Sequence, residues 1–449
     1  CPQRIQRLDQ NFVNHFWNQS LNAPSSYIIA GPGWIHAPTR DLLGESLAIL
    51  NSNAFATVAE DLVSSYPRTA YGSPVISHQF PHAPAYHNKA IWPFVEAYGL
   101  LAAKKVGNQG VYKHAFESLI RASSLFLSHR ENFHYTTGRP DQTAINSDRQ
   151  LWSVGAWLAS IYKGLFGISL SYDFDRDGFD LNLAPNNPFE WDKFTLSNLN
   201  LHNTDINITL AGSGSIIESI EVNDVKHEMG FPIPLLGGIL DIHVQLSQDD
   251  AEIPALPSIA AFTLPEIPQT SWSVDTLYWN SADRDVLLEL NGRIIDTLTY
   301  SPYLLPDSLS GFFTLRTLDS TGLMSLPSQP QYQGPSATLV LNAQEPYFIE
   351  MGRDNAFIEM NFMLPTSGFY LMRFVYSNGS GPVSTGNTCG LAKLTINNWW
   401  LEQMISFPHT NSWDQRSTTF WSRAELHQGE NIIRLDQESL PVSNMGDSN

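Results

Sequence analysis

The sequence predicts a multidomain α plus β protein, in which one helical region is followed by three all-β modules. Up to residue 167, apolar residues recur every three or four positions, as one face of an amphipathic helix requires. After residue 168 the period changes to two, and short alternating runs separated by turn residues indicate strands. A length of 449 residues exceeds what one hydrophobic core organises, so several domains are expected.

The helical region contains long loops as well as helices. The loops, 24–40, 67–90 and 130–148, are rich in Pro, Gly, His and aromatic residues. Long ordered loops on a helical scaffold commonly carry function, so we expect the functional site here. The segments with helical spacing are 7–17, 41–50, 54–66, 91–105, 111–129 and 149–167.

The rest of the chain has the spacing of strands. Runs such as "SLSYDF", "GFDLNLAP" and "INITLAG" predict a first β-sandwich, and the Pro-rich stretch 251–269 marks a boundary after it. Runs such as "VLLELNGRIID" have the strand spacing of a fibronectin-type sandwich. The predicted domains are a helical region (1–167), a sandwich packed on it (168–252), a fibronectin-type-like sandwich (253–344) and a last sandwich (345–449).

The composition narrows the class of partner. The chain has 25 Lys and Arg against 44 Asp and Glu, a formal net charge of −19. This field repels a phosphate backbone, so nucleic acid is not an expected partner. A neutral, hydroxyl-rich ligand is compatible with the charge, and 12 Trp and 16 Tyr offer flat surfaces on which sugar rings can stack.

The two cysteines, Cys1 and Cys389, do not form a disulfide scaffold. A chain that begins with Cys has two interpretations. Either the numbering starts at an arbitrary cut, or the chain is a mature bacterial lipoprotein anchored to a membrane through a lipid on Cys1. No apolar run approaches the roughly 20 residues that a membrane helix needs.

Three stretches of the helical region stand out: "YHNKAIWPF" (86–94), "RENFHYTTG" (130–138) and "INSDRQLWSVGAW" (145–157). In an antiparallel helical toroid, alternate loops meet at one end, so the three stretches could line one pocket. A simpler interpretation also stands. Trp92, Trp152 and Trp157 could pack in the core at helical spacing, and His87 or Asn88 could cap the helix that follows.

In this order the three stretches resemble the C-terminal part of the six-hairpin (α/α)6 glycosidases, of the glycoside hydrolase family 63-like and mannosylglycerate hydrolase-like branch. Lys89 stands where these enzymes usually have Gly, and His134 and Tyr135 depart from the second motif. The resemblance covers about residues 40–240 and implies a partial (α/α)6 helical toroid ahead of the three sandwiches. The matching residues are Tyr86, His87, Asn88, Trp92, Pro93, Glu131, Asn132, Thr137, Gly138, Trp152 and Ser153.

The resemblance implies an inverting glycoside hydrolase, for which we expect α-linked substrates. Glu131 matches the general base, which activates a water and lies about 6.5–9.5 Å from the general acid. The matches also imply that Tyr86, His87, Asn88 and Trp92 form a sugar-contacting wall. Asp148 and Arg149 would be positioning groups, and Trp34 and His36 would add to the wall.

The general acid has no matching motif. Asp41 is the best-placed remaining acid, but it begins a helix and reads as a first-turn acid or an N-cap. A complete toroid of twelve helices takes more than roughly 300 residues, and residues 1–167 supply about half of them. The chain is therefore expected to be the C-terminal piece of a longer enzyme, the other half lying on another chain or missing. The alternative is a non-catalytic glycan-binding protein on a degenerate barrel.

The last domain has a resemblance of its own. "GFYLMRFVYSNGSGP" followed by "NTCGLAKLTINN" is similar to carbohydrate-binding modules of families 35 and 6. Trp399, Trp400 and Trp413 are its candidates for stacking on sugars, unless they belong to its core or rim. Some such modules hold a structural calcium, for which Glu350 or Glu359 would serve.

These resemblances imply an oligo- or polysaccharide partner and hydrolysis by water without a cofactor. They also imply export to the bacterial periplasm, the cell surface or the extracellular space. A third reading is a structural or adhesive surface protein, in which the sandwiches act as spacers.

Overall fold

A computed structural model of the chain divides it into two compact units, residues 1–27 with 37–266, and residues 28–36 with 267–449. The predicted domain boundaries at 252/253 and 344/345 lie outside the described residues, and the boundary at 167/168 stays a prediction. The structure describes residues 2–29, 35–247, 263–273, 275–280, 284–334, 357–379, 390–419 and 421–437.

The α-helices of the described residues all belong to the first unit. Each of the six helical segments expected from the spacing overlaps one, although α1 begins five residues earlier than predicted and the helix in 54–66 is shorter. None of them is long and apolar enough to cross a bilayer. They are Pro2–Phe16 (α1), Leu42–Asn51 (α2), Ala59–Ser65 (α3), Pro93–Val106 (α4), Gln109–Phe126 (α5) and Leu151–Ala159 (α6), the last continued by a π-helix, Ser160–Leu165, and preceded by a 3₁₀ turn, Pro140–Gln142.

Helix α4 is the central helix of this unit. Pro93 occupies its first turn, where a missing N–H costs nothing, and Gly107 ends it in the left-handed conformation at φ 78°. Near its end, Lys104 Nζ donates to the Gly164 carbonyl of the π-helix and Lys105 Nζ to the Ile49 carbonyl of α2, each at 2.7 Å. The two lysines thus satisfy terminal carbonyls of neighbouring helices.

The expected fold class, a partial (α/α)6 helical toroid followed by three β-sandwich domains, is wrong. Helices α2, α3, α5 and α6 pack around α4 instead of following one another in a ring of hairpins. Strands make up 40% of the described residues and helices 22%, and the sheets are small. Apolar spacing identifies the buried face of a helix but not its neighbour, so the ring order rested on the resemblance alone.

Two sheets complete the first unit. The larger is mixed, because Thr204–Ala211 runs parallel to Gly238–Ser247 while its other pairs are antiparallel. The smaller is antiparallel. In spatial order the larger comprises Lys193–Leu201, Thr204–Ala211, Gly238–Ser247, Ile216–Val222 and Val225–His227, and the smaller Ile233–Pro234, Gly178–Leu183 and Ile168–Asp173.

One hydrophobic core joins these sheets to the helices. Ile206, Ile208 and Leu210 alternate along one strand and are fully buried in the same cluster as Leu100 of α4 and Phe116 of α5. The period of two in the sequence therefore marks the strand face that covers the helices. The strands predicted from "SLSYDF", "GFDLNLAP" and "INITLAG" are confirmed by the structure.

Four short segments lie side by side at the start of the helices and form what we term the short-strand platform. Arg40–Asp41 pairs with Ile76–Ser77, and Ala90–Ile91 pairs with Phe133–His134. Val75 N donates to the Ala90 carbonyl at 3.0 Å, which joins the two pairs. The platform thereby brings the residues before α2 and α4 next to those after α5.

The described part of the second unit is built of strands. One pair, Ile28–Ile29 with Ile35–His36, comes from early in the chain, and the others follow residue 267. Its two apolar cores are separate. The first core has two sheets. In spatial order, one comprises Gln269–Ser273, Thr276–Asn280 and Tyr303–Leu304. The other comprises Arg293–Leu298, Val286–Leu290, Gly311–Thr317 and Gln331–Gln333. The second core has one four-stranded sheet and two strand pairs. The sheet comprises Phe357–Leu364, Gly429–Asp436, Gly390–Ile396 and Trp399–Phe407. The pairs are Gly368–Met372 with Ser422–Leu426, and Val375–Tyr376 with Ser417–Thr418.

Charged groups are buried at the platform end of the helices. Arg40 binds Glu45 through two hydrogen bonds, Nε to Oε1 at 2.8 Å and Nη2 to Oε2 at 2.6 Å, and its guanidinium lies 5.0 Å from the Tyr66 ring centroid. Both side chains are buried. A bidentate pair of this kind is costly to break from one side, because the remaining charge has no water to solvate it.

Glu96, in the first turn of α4, is a second buried acid, with 1% of its surface exposed. Its Oε2 accepts a hydrogen bond from Ser73 N at 3.1 Å. Burial raises the pKa of the Glu96 carboxyl to about 7, against the opposing effects of the Ser73 hydrogen bond and of Arg68. Glu96 therefore holds its proton to a higher pH than an ordinary glutamate does.

We expect Glu45→Gln to lower the free energy of unfolding by about 3–5 kcal/mol, because Arg40 is left buried without a carboxylate. Urea denaturation followed by tryptophan fluorescence measures this loss. Asp141→Asn is the matched control, since it breaks the exposed pair of Arg139 and Asp141 and should leave the midpoint unchanged. Equal effects of the two changes would contradict the assignment.

The pH dependence of stability should carry the signature of Glu96. Between the ordinary carboxyl pKa of 4.5 and about 7, the native protein retains a proton that the unfolded chain releases, so the free energy of unfolding falls as pH rises. Glu96→Gln lacks this proton. Its unfolding constant relative to wild type should therefore decrease, on the order of 100-fold, from about pH 5 to about pH 8.

Denaturation curves at several pH values measure this difference for Glu96→Gln. The control is Glu117→Gln, which removes an exposed carboxyl from α5 and should show no such trend. A pH-independent difference in the unfolding constant between Glu96→Gln and wild type would contradict the prediction.

Candidate functional site

A buried carboxylate lies at the edge of the short-strand platform. Glu131 is 5% exposed, and its Oε1 accepts a hydrogen bond from the Tyr86 hydroxyl at 2.8 Å. Its Oε2 accepts from Ser147 N at 2.9 Å, and Glu131 N donates to the Ser147 carbonyl at 3.0 Å. Burial, followed by the hydrogen bond to Glu131, raises the pKa of Tyr86 to about 12. The phenol therefore remains a donor to the carboxylate throughout the physiological range.

Aromatic rings cluster around this pair. Tyr86 lies 4.7 Å from His87 and 5.0 Å from Trp92 between ring centroids, and Trp152 lies 5.6 Å from Trp92. Trp152 also stacks on Phe94 at 4.7 Å. We call these five residues the aromatic cluster. It joins two of the three sequence motifs, and Glu131 of the third is bonded to it.

The members of the cluster differ in their access to solvent. His87 is exposed and Trp152 is 47% exposed, whereas Trp92 is 2% exposed. Trp92 Nε1 donates to the Tyr86 carbonyl at 2.8 Å. The predicted sugar contact does not fit a ring that is buried in this way. Trp92 supports the cluster from inside, and His87 and Trp152 face outward.

Asn88 fastens the loop ahead of the cluster. Its Oδ1 accepts from Phe80 N at 2.9 Å, and its Nδ2 donates to the carbonyls of Phe80 and Ala83 at 3.0 and 3.2 Å. The interpretation of His87 or Asn88 as a helix cap is wrong, because the N-cap of α4 is Trp92 and it makes no side-chain capping bond. Pro93 follows directly and needs no capped N–H.

Lys89, which stands where the similar glycosidases usually have glycine, keeps a backbone conformation typical of glycine. It adopts the left-handed conformation at φ 61°, which glycine reaches without strain. Its backbone N–H donates to Gln79 Oε1 at 2.5 Å and its Nζ to the Pro81 carbonyl at 3.2 Å. These two bonds offset part of the cost of about 1 kcal/mol that a side chain meets in this conformation.

The acids that flank the site have structural roles. Asp41 caps α2, as one of its two predicted readings had it, and its Oδ1 accepts from Gly44 N at 2.8 Å. Burial raises the pKa of Asp41, while its capping bonds and the nearby His87 act in the opposite direction. Asp148 is exposed and forms an ion pair with Arg130, and Arg149 is exposed. In the described part of the chain, neither Asp148 nor Arg149 forms a hydrogen bond or an ion pair with Glu131.

The two remaining predicted wall residues are not among the described residues of the first unit. Trp34 lies outside the described residues. His36 belongs to the second unit, where its carbonyl accepts from Arg316 Nη2 at 3.2 Å. Burial, followed by the charge of Arg316, lowers the pKa of the His36 imidazole. Trp157, by contrast, packs against the core of the first unit, as its alternative interpretation expected.

Of the candidates in the last domain, Trp413 is 61% exposed in the segment between two strands. Trp399 and Trp400 begin the strand Trp399–Phe407, and their side chains lie outside the described residues. Glu350 also lies outside them, while Glu359 is partly exposed and lies 3.9 Å from Arg434 Nη1. In the described part of the chain, no group of three His, Cys, Asp or Glu side chains is arranged to hold a metal ion.

Two partners in the site escaped the sequence analysis. Ser147 contributes a backbone N–H, which every residue but proline has, so nothing in its side chain signals the contact. Phe94 follows Pro93 and reads as one more apolar residue of α4, although its ring carries Trp152. The signal available for Phe94 was its aromatic ring at the end of the first motif, two residues after Trp92.

Comparisons with known proteins add little to this geometry. No protein-family model matches the sequence, and no curated protein matches it. Among solved structures, a family 35 carbohydrate binding module from Clostridium thermocellum is 28% identical, over 18% of this chain and 58% of that chain, with a TM-score of 0.16. A module of the same family from Cellvibrio japonicus is 24% identical, over 18% and 54%, also with a TM-score of 0.16.

An exo-β-1,3-galactanase from Phanerochaete chrysosporium is 12% identical, over 61% of this chain and 65% of that chain, with a TM-score of 0.21. The chain thus spans little more than half the length of the modules that it matches. The similar structures are carbohydrate-binding modules and a glycosidase. TM-scores this low describe no shared overall fold.

We expect Tyr86→Phe to lower the free energy of unfolding by about 1.5–3 kcal/mol, because the buried Glu131 carboxylate loses its charged hydrogen bond to the phenol. Urea denaturation measures the loss. Tyr98→Phe removes a hydroxyl from a partly exposed ring on α4 and is the matched control. The proposed bond would be refuted by a Tyr86→Phe variant as stable as the control.

Proposed function

We propose that the surface formed by the exposed part of the aromatic cluster and Glu131 binds an oligo- or polysaccharide. We further propose that the chain is a glycoside hydrolase or the C-terminal portion of one. The observation that carries the proposal is a carboxylate that is held by a phenol and a backbone N–H beside outward-facing rings. An exported protein that meets polysaccharides outside the cell fits this proposal.

The outward-facing rings supply the apolar part of such a site. An indole that is half exposed and stacked from behind on Phe94 presents a fixed flat face, so a sugar ring can cover it at little cost in side-chain entropy. His87 adds ring nitrogens that can exchange hydrogen bonds with sugar hydroxyls. A few polar groups around apolar faces are the usual composition of a small-molecule site.

Glu131 supplies the chemistry of this proposal. In inverting hydrolysis, a carboxylate removes a proton from a water molecule, whose oxygen then attacks the anomeric carbon. The bond to the leaving oxygen breaks as that oxygen receives a proton from a second carboxylic acid. Tyr86 and Ser147 each donate to one oxygen of Glu131, which fixes the direction of the carboxylate and leaves a further acceptor position on each oxygen.

A non-catalytic glycan-binding protein is the second candidate function. Both oxygens of Glu131 already accept hydrogen bonds within the chain, and the side chain is almost fully buried. Asp41, the nearby acid, is engaged as a helix cap. These observations favour a carboxylate that shapes a binding surface. In the last domain, the exposed Trp413 would then act as a separate stacking surface.

Hydrolysis and binding of a panel of α-linked oligosaccharides test the proposal. We expect turnover that Glu131→Gln abolishes while binding remains, because the amide cannot accept a proton from water. Trp152→Ala should weaken binding by up to about tenfold, since an aromatic contact contributes about 0.5–1.5 kcal/mol beyond its buried area.

Trp191→Ala is the matched control for Trp152→Ala, because Trp191 is also about half exposed and stacked on a phenylalanine of the same unit. Its affinity should equal that of wild type. Saturable binding without turnover supports the second candidate function. Absence of both, or equal losses in the two tryptophan variants, would overturn the proposal.

A further inference from the structure

A small internal cavity lies between helices α2, α3, α4 and α5 of the first unit. Its volume is about 20 Å³, which is room for about one water molecule. Much of its lining is apolar, as in a normal core. Six residues with polar or charged side chains interrupt that lining: Glu45, Ser46, Tyr66, Arg68, Ser73 and Glu96.

Two of these residues present buried polar atoms that have no hydrogen-bond partner among the described residues. Glu96 uses Oε2 for Ser73 N, while its Oε1 is unpartnered. Arg68 is 4% exposed; its Nη1 donates to the carbonyls of Ser64 and Tyr66, and its Nε is unpartnered. A buried group left in this state costs about 1–3 kcal/mol, and more when it is charged.

The chemistry of the two atoms selects the ligand. When the Glu96 carboxyl is ionised, Oε1 accepts a hydrogen bond and Arg68 Nε–H donates one, so a bridging ligand must both donate and accept. A cation in the cavity would meet the charge of Arg68, and an anion would meet that of Glu45. Water is the neutral ligand of the right size that can serve both atoms.

We propose that this cavity is a binding site for one water molecule, which donates to Glu96 Oε1 and accepts from Arg68 Nε. The water then completes a bridge between α4, which carries Glu96, and the segment that follows α3, which carries Arg68. The inference is independent of the proposed function, because it depends only on the buried atoms and on the cavity.

The bridge is connected to the aromatic cluster through the start of α4. Trp92 is four residues before Glu96 on the same helix, where Glu96 N donates to the Trp92 carbonyl at 2.9 Å. Ser73, the other partner of Glu96, belongs to the segment that continues to Tyr86. The water binds the one oxygen of the Glu96 carboxyl that has no partner among the described residues.

A crystal structure of the full chain at a resolution that shows ordered water tests the site. We expect one density peak within about 2.7–3.2 Å of both Glu96 Oε1 and Arg68 Nε. An empty cavity, a peak that touches only one of the two atoms, a direct bond between them, or an ion in place of water would each overturn the proposal.

Two variants carry the test into solution, where magnetic relaxation dispersion counts long-lived internal waters. In Glu96→Gln the amide oxygen accepts from Ser73 N and the NH2 faces the cavity. The water can accept from this NH2 as well as from Arg68 Nε, so the count should equal that of wild type. Glu96→Leu removes the acceptor and should lose one water. If Glu96→Leu fails to fold, Glu96→Gln still decides the matter, because a lower count in that folded variant, like an unchanged count in Glu96→Leu, contradicts the bridge.

Discussion

The backbone hydrogen bonds of the short-strand platform are the constraint on which the candidate site depends. Tyr86 and Glu131 are 45 residues apart in sequence, and no helix or long sheet carries both. They meet because Ala90–Ile91 pairs with Phe133–His134 over only two residues on each side. A few main-chain bonds therefore determine where a phenol, a carboxylate and several rings converge, and the helices behind them supply rigidity.

Four charged side chains are buried among those helices and the segments that join them. The pair of Arg40 and Glu45, and the separate Glu96 and Arg68, are all buried close to the platform. Burying such groups is unfavourable unless each is satisfied, so they stabilise one arrangement of the segments more than they add to overall stability. The platform is thus held by the main-chain hydrogen bonds between its own segments and by the buried charged side chains.

Sequence periodicity predicted the local elements but not their assembly. The spacing around Leu100 and Phe116 identified α4 and α5, and the alternation of Ile206, Ile208 and Leu210 identified a strand with one buried face. Which helix packs on which is decided by side-chain shape across the whole core, which no local pattern encodes. The same limit applies to the site, where Glu131 was visible as an acid among aromatic residues, whereas its bond to Ser147 N was not.

One strand pair limits how this protein can be cut into fragments or recombined with others. The pair is Ile28–Ile29 with Ile35–His36. It is encoded near the start of the chain, yet it groups with residues 267–449. The His36 carbonyl accepts from Arg316, whose side chain is buried and also binds Glu289 at 2.8 Å. A single cut near residue 266 would therefore leave Nη2 of the buried Arg316 without the His36 carbonyl, while Glu289 and the Ser325 carbonyl still bind the rest of the guanidinium. The second unit is a discontinuous piece of sequence, and it cannot be moved to another protein as one uninterrupted exchange.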